Sequence, residues 1–279
     1  MPTTEEIERQ VLELVRAGDV ATLRLIRDRV ASRRSSASAQ RAVKYMYDPV
    51  GWVRDVIDWQ PGEGLAAYQE DVLGLLARER RVAARGPHGL GKTGMAALGV
   101  LWFATTRDAA GIDWKVLTTA SAWRHLSVYL FPEIHKWARR IKWDMLGRPP
   151  FRENAELLVH NIKLRYGAAS AVASTKPELI EGAHADSLLY LIDEAKIVPD
   201  GTWDAIKGAF SGGKTSGLPE AFVFAISTPG PPSGRFYDIH SRKAGVRGLV
   251  RTARHVGGGG RCRPDLLGLG GAARPPVGS

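Results

Sequence analysis

The sequence predicts an α/β fold: a mostly parallel, doubly wound sheet with helices on both faces, an N-terminal helical arm and a disordered C-terminal tail. Three observations predict it. Between Arg81 and Ser227, short apolar runs alternate with helical patterns, as in strands joined by crossover helices. One run opens into a glycine-rich loop and then a helix. Another ends in two adjacent carboxylates. The length of 279 residues suits one large domain with a small extra piece.

Residues 3–33 read as two short amphipathic helices. Thr3 and Glu6 fit a capping box, and Ile7, Val11, Leu14 and Val15 share one face. After Gly18-Asp19 the same spacing returns at Val20, Leu23, Ile26 and Val30. The small polar stretch Ser32–Gln40 is a linker, so 1–44 is an arm ahead of a domain over 45–244. Trp52, Val53, Val56, Ile57 and Trp59 open that domain and precede a Pro61-Gly62 turn. A helix is expected from about Ala66 to Glu79, a strand at Arg81–Arg85 and a helix from Lys92 to about Thr106. Further strands are expected at Lys115–Thr119, Ile162–Ser174 (with a turn at Gly167), Leu188–Ile192 and Ala221–Ser227. Helices at Ala122–Ile141 and Thr202–Phe210 lie between them.

Residues 245–279 differ in kind: ten Gly, six Arg and no aromatic residue. Such a segment buries too little apolar surface to offset chain entropy, which predicts disorder. It also carries +5 of the +10 net charge, so the body is only mildly basic and the total points to nucleic acid less strongly than it first appears. A hydrophobic content of 44% and a charged content of 24% are those of a globular protein. The single cysteine, Cys262, excludes an internal disulfide framework and a cysteine-based zinc site. No apolar run reaches the roughly 18 residues of a membrane span, and the start is acidic. A cytoplasmic location without membrane or signal peptide is therefore expected.

Gly86-Pro87-His88-Gly89-Leu90-Gly91-Lys92-Thr93 matches G-x-x-x-x-G-K-[ST]. Glycines let the backbone wrap closely and aim N–H groups at phosphates, and the following helix adds its positive end. Lys92 would contact the β- and γ-phosphates, and the Thr93 hydroxyl would ligate Mg²⁺. The bland alternative is a tight strand-to-helix turn; the strand before and helix after favour the phosphate loop.

The run Leu188–Ile192 leads into Asp193-Glu194. A continuous apolar run is a strand buried on both faces, and its carboxyl end is where ligands sit in open α/β sheets. Asp193 is expected on Mg²⁺, through water, and Glu194 as the base that activates the attacking water. The competing reading is a cap for the next helix. Ser227-Thr228 end another apolar strand, where hydroxyls can report hydrolysis or merely form a turn. The amide of Gln69 matches N6 and N7 of adenine, or is an exposed helix residue. Thr118-Thr119-Ala120-Ser121 with Trp123-Arg124 suits a nucleic-acid phosphate or a plain helix start. Lys136-Trp137-Ala138-Arg139-Arg140 and Lys142-Trp143 favour inward tryptophans with a solvated basic face over a DNA surface.

Together these pieces resemble the large terminase subunit of tailed bacteriophages. The resemblance runs from about Tyr68 to Lys243. It is carried by Tyr68-Gln69, the loop, Gly182–Asp186 through Asp193-Glu194-Ala195, Ser227-Thr228-Pro229-Gly230 and Ser233–Tyr237. It implies a P-loop ATPase motor that moves double-stranded DNA into a procapsid, with ATP and Mg²⁺ as cofactors. It also implies partners: the phage portal, the small terminase subunit and further copies of the chain. Gln69 would belong to the adenine motif, Gly86 to Thr93 to nucleotide binding, Thr93 and Asp193 to the metal, Glu194 to catalysis, and Ser227 and Thr228 to coupling. Where some members place a loop arginine, this chain has His88; Arg85 or an arginine of a neighbouring subunit would supply that charge. The family's nuclease needs several converging carboxylates, and after Gly230 only Asp238 and Asp265 occur. A nuclease is therefore expected to be missing, and the tail has the bias of a GC-rich gene read out of frame. The rival readings are a helicase-like remodelling ATPase and a remnant that only binds nucleotide.

Overall fold

The computed structural model describes residues 43–209, 220–241, 251–254 and 263–264, with single positions at 13 and 40. The expected arm, the linker and most of the expected tail lie outside them. The elements begin with α1 (Pro49–Val56), α2 (Ala67–Glu79), β1 (Arg81–Arg85), α3 (Lys92–Ala109) and β2 (Trp114–Ala120). A π-helical segment (His125–Leu130) then runs into α4 (Phe131–Ala138), followed by α5 (Trp143–Leu146), β3 (Leu157–Leu158), β4 (Asn161–Lys163) and β5 (Gly167–Ala173). The remainder is α6 (Pro177–Glu181), β6 (Ser187–Asp193), a 3₁₀ turn (Ala195–Ile197), α7 (Asp200–Ala209), β7 (Glu220–Ser227), α8 (Arg235–Ser241), β8 (Arg251–Arg254) and β9 (Arg263–Pro264).

The strands form one sheet in the order β3-β4-β5-β2-β6-β7-β1-β8-β9. From β5 to β8 every pairing is parallel. The β3–β4, β4–β5 and β8–β9 pairings are antiparallel. The expected α/β sheet is thus present, with crossover connections and mixed edges. The turn expected at Gly167 separates β4 from β5, closed by Leu164 N–H donating to Gly167 O at 2.9 Å. Within the expected tail only 251–254 and 263–264 are described: the first pairs with β1 and the second with the first.

Period-two alternation buries both faces of the central strands. Leu189, Leu191, Phe222, Phe224 and Ile226 pack with α1 to α5 on one face. Leu188, Tyr190, Ile192, Val223 and Ala225 pack with Trp203, Ile206, Phe236 and Ile239 on the other. The helix expected over 122–141 is shorter and locally wider. Its last residue is Ala138, and Phe131 N–H donates to Leu126 O, a π-type bond. Pro132 lacks an N–H, and its ring would press on the carbonyl four residues earlier in a regular helix, so the preceding turn opens.

A buried cation locks α3 to β7. The Arg107 side chain is fully buried and lies 3.2 Å from Glu220 Oε2. It also donates to Met46 O at 2.9 Å and sits over Phe103 and Trp102. Among the described residues, no helix is long and apolar enough to cross a membrane.

Candidate active site

Parallel pairing brings the carboxyl ends of β1, β7 and β6 side by side, with β7 in the middle. The loop from Gly86 to Gly91 leaves β1 and enters α3. Gly89 and Gly91 have φ of +79° and +71°, a region L side chains rarely adopt, so these turns require glycine. Gly86 N–H donates to Ser227 O at 3.2 Å, which fastens the start of the loop to the end of β7. The Lys92 ammonium reaches back into the loop and donates to Gly86 O at 3.1 Å and Pro87 O at 2.7 Å. Burial pushes the Lys92 pKa down, and the carboxylates of Glu194 and Asp193 pull it back up. Thr93 stands on the first turn of α3, where free N–H groups and the helix dipole favour an anion.

Asp193 ends β6 and is 6% exposed. Its pKa is pushed up to about 6, chiefly by burial and further by the Glu194 charge, against a backbone hydrogen bond and the positive charges of His125 and Lys92. That bond is Glu194 N–H to Asp193 Oδ1 at 2.8 Å. Glu194 has a left-handed backbone, φ 49° and ψ 43°, which costs a non-glycine residue roughly 1–2 kcal/mol. It precedes the 3₁₀ turn without capping it, so its side chain does not do the work of the competing helix-cap reading. Lys196, in that turn, contacts Glu194, Ser227 and Thr228.

Part of this corner faces one cleft of about 1060 Å³. Gln69, His88, Gly89, Leu90, Gly91, Lys92, Thr93, Asp193 and Glu194 line it. Arg85, Gly86, Pro87, Ser227 and Thr228 do not; Arg85 is half-buried at the end of β1, and Ser227 and Thr228 are buried behind the loop. The Gln69 amide caps α2 by accepting from Ala66 N–H at 3.0 Å, and its Nε2 lies 3.4 Å from Leu90 O and Gly91 O. A Cβ on Gly91 would come within 3.0 Å of that nitrogen.

The opposite wall comes from residues that periodicity does not mark as a site. Trp59 and Trp137 meet edge to face with centroids 5.2 Å apart, and the Arg140 guanidinium lies over both rings. Trp137 Nε1 donates to Glu133 Oε2 at 2.9 Å. The Lys136–Trp143 stretch thus turns Trp143 into the core, while Lys136, Trp137 and Arg140 face the cleft. Thr118 and Thr119 are buried within β2, with Thr118 Oγ1 donating to Ser170 O, so they do not form an open phosphate surface.

Among the described residues there is no group of three or more His, Cys, Asp or Glu that would cage a metal. Mg²⁺ takes one or two protein oxygens, directly or through water, and completes its shell with water and phosphate. A hydroxyl and a buried carboxylate, Thr93 and Asp193, fit this donor set.

No family model matches the chain. Over 67 residues, 24% of its length, the chain is 43% identical to the probable terminase large subunit of Enterobacteria phage P7, and this stretch spans 12% of that protein. Among solved structures, the Thermus phage P74-26 large terminase ATPase domain aligns with a TM-score of 0.44 at 15% identity, covering 66% of this chain and 74% of that one. An arginine-to-alanine variant of that domain gives 0.43 at 16% over the same shares.

Proposed function

We propose that the chain is the Mg²⁺-dependent ATPase motor part of a phage DNA-packaging terminase. The observation that carries the reading is the convergence of Lys92 and Thr93 with Asp193 and Glu194 on one cleft at the carboxyl edge of the sheet. The 67-residue likeness to a terminase large subunit supports the packaging context. In this reading the loop N–H groups and Lys92 bind the triphosphate, Gln69 reads the base beside the Trp59–Trp137 wall, and Glu194 takes a proton from the attacking water. Thr93 and Asp193 would hold Mg²⁺, which when bound would neutralise phosphate charge. Ser227 and Thr228 relay the reaction to double-stranded DNA, with the portal, the small subunit and neighbouring copies as partners. The arginine that stabilises the transition state is Arg85 or comes from a neighbouring copy.

Phosphate release measured with and without DNA tests the reading. Lys92→Ala is expected to lose both tight ATP binding and release. Glu194→Gln is expected to keep ATP binding and lose hydrolysis by a factor on the order of 10² or more, since an amide is no base. Near-parental turnover by Glu194→Gln would remove Glu194 from the role. ATP binding without release by the unaltered protein would favour a remnant that only binds nucleotide.

A further inference from the structure

The chemistry above leaves Lys196 without a task, yet its side chain touches both halves of the machinery. Its backbone N–H donates to Ser227 Oγ at 3.3 Å. Its ammonium donates to Thr228 Oγ1 at 2.5 Å and lies 3.5 Å from Glu194 Oε2. The side chains of Lys196 and Glu194 are only 23% and 18% exposed. The lysine stem lies so close to the turn after β7 that a Cβ on Gly230 would come within 3.0 Å of its Cβ and Cδ. Backbone, stem and tip are therefore each held, in a residue type that loses much rotamer freedom when fixed. The three contacts converge on the turn after β6 and the end of β7.

We propose that Lys196 is a positioning residue that ties the Glu194 carboxylate to the Ser227–Thr228 end of β7, so that base and strand end move as one unit. The inference rests on the ATPase reading. One carboxylate oxygen of Glu194 is held by the ammonium, which leaves Oε1 to face the attacking water. The Thr228 hydroxyl accepts from Lys196, so its own proton remains to be donated. A base works in one orientation, and a carboxylate freed to rotate loses part of that advantage without any loss of phosphate binding. Lys92 and Asp193 share the corner, and neither contacts Glu194 through a hydrogen bond from its side chain to the Glu194 carboxylate among the bonds described.

The test compares Lys196→Met, Lys196→Arg and Gly230→Ala with the unaltered protein by phosphate release over a range of ATP concentrations, with binding of a fluorescent ATP analogue alongside. Lys196→Met is expected to lower kcat on the order of tenfold while KM changes by less than about threefold. Lys196→Arg is expected to restore most of kcat, because a guanidinium reaches both acceptors. Gly230→Ala keeps the lysine but displaces its stem, and is expected to lower kcat partly. In single turnover, Lys196→Met added to Glu194→Gln is expected to slow the reaction no further. Parental kcat in Lys196→Met, no recovery with arginine, or an additive loss in the double variant would each overturn the proposal. If Lys196→Met does not fold, parental kcat in Gly230→Ala overturns it. No phosphate release by the unaltered protein would sink the ATPase reading and this inference together; release that is indifferent to Lys196 sinks the inference alone.

Discussion

The carboxyl of Asp193 sits where a negative charge is poorly solvated, and this ties stability to pH. Below pH 3.8 the group is neutral in both the folded and the unfolded chain and contributes nothing. Between 3.8 and about 6 the folded chain keeps a proton that the unfolded chain has lost. Above about 6 the ionised carboxyl stays buried, at a cost of about 3 kcal/mol by the gap between those values. Asp193→Asn is therefore expected to melt several degrees above the parent at pH 8 in a chelating buffer, with the difference gone near pH 4. A variant that melts lower at pH 8 would mean that the carboxylate is held by contacts stronger than its desolvation. At this scale the acidic pair and the phosphate loop were legible, because each is a local run with its own chemistry. Lys196, Trp137 and Arg140 were not legible as site residues, because their place depends on which strands and helices become neighbours.

Among the elements, β1, β2, β6 and β7 were read to within a residue or so, since continuous apolar runs bounded by polar ends leave little choice. The two-residue strand β3 and helix α1 were missed as elements. The first is too short for any period, and the second is a short helix whose one tryptophan, Trp52, is buried rather than patterned on a long face. Pro132 did carry the signal for the π segment, but its effect depends on a helix continuing through it. The lock between α3 and β7 is likewise invisible in sequence, with Arg107 and Glu220 far apart along the chain. Arg107→Ala leaves Glu220 without its buried partner and is expected to cost about 3–5 kcal/mol. Thermal melting checks this; a loss below about 1 kcal/mol would mean that the aromatic cage, not the ion pair, fastens α3. Nucleotide affinity of the variant at low temperature is expected to stay parental, since the lock lies at the opposite edge of the sheet from the loop.

For the whole molecule, DNA retention is expected to be independent of sequence and to fall steeply with salt, because phosphate contacts would dominate it. Half of the net charge lies in 245–279. Replacing the six arginines there by glutamine leaves the β8 backbone free to pair with β1. Retention and its salt slope are both expected to drop, with ATP turnover unchanged. Unchanged retention would move the contacts to the body, near Arg124 or Arg139.

Strand β7 is anchored at both ends: Glu220 to the buried Arg107 at one, Ser227 to the loop through Gly86 at the other. A rod clamped in this way transmits little motion along its length. If the proposed motor reading holds, a stroke generated beside Ser227 would leave sideways, through the turn from Thr228 to Gly230 and on into α8. The lever arm would then be the segment after the strand rather than the strand itself, with the short turn that carries Lys196 as its fulcrum.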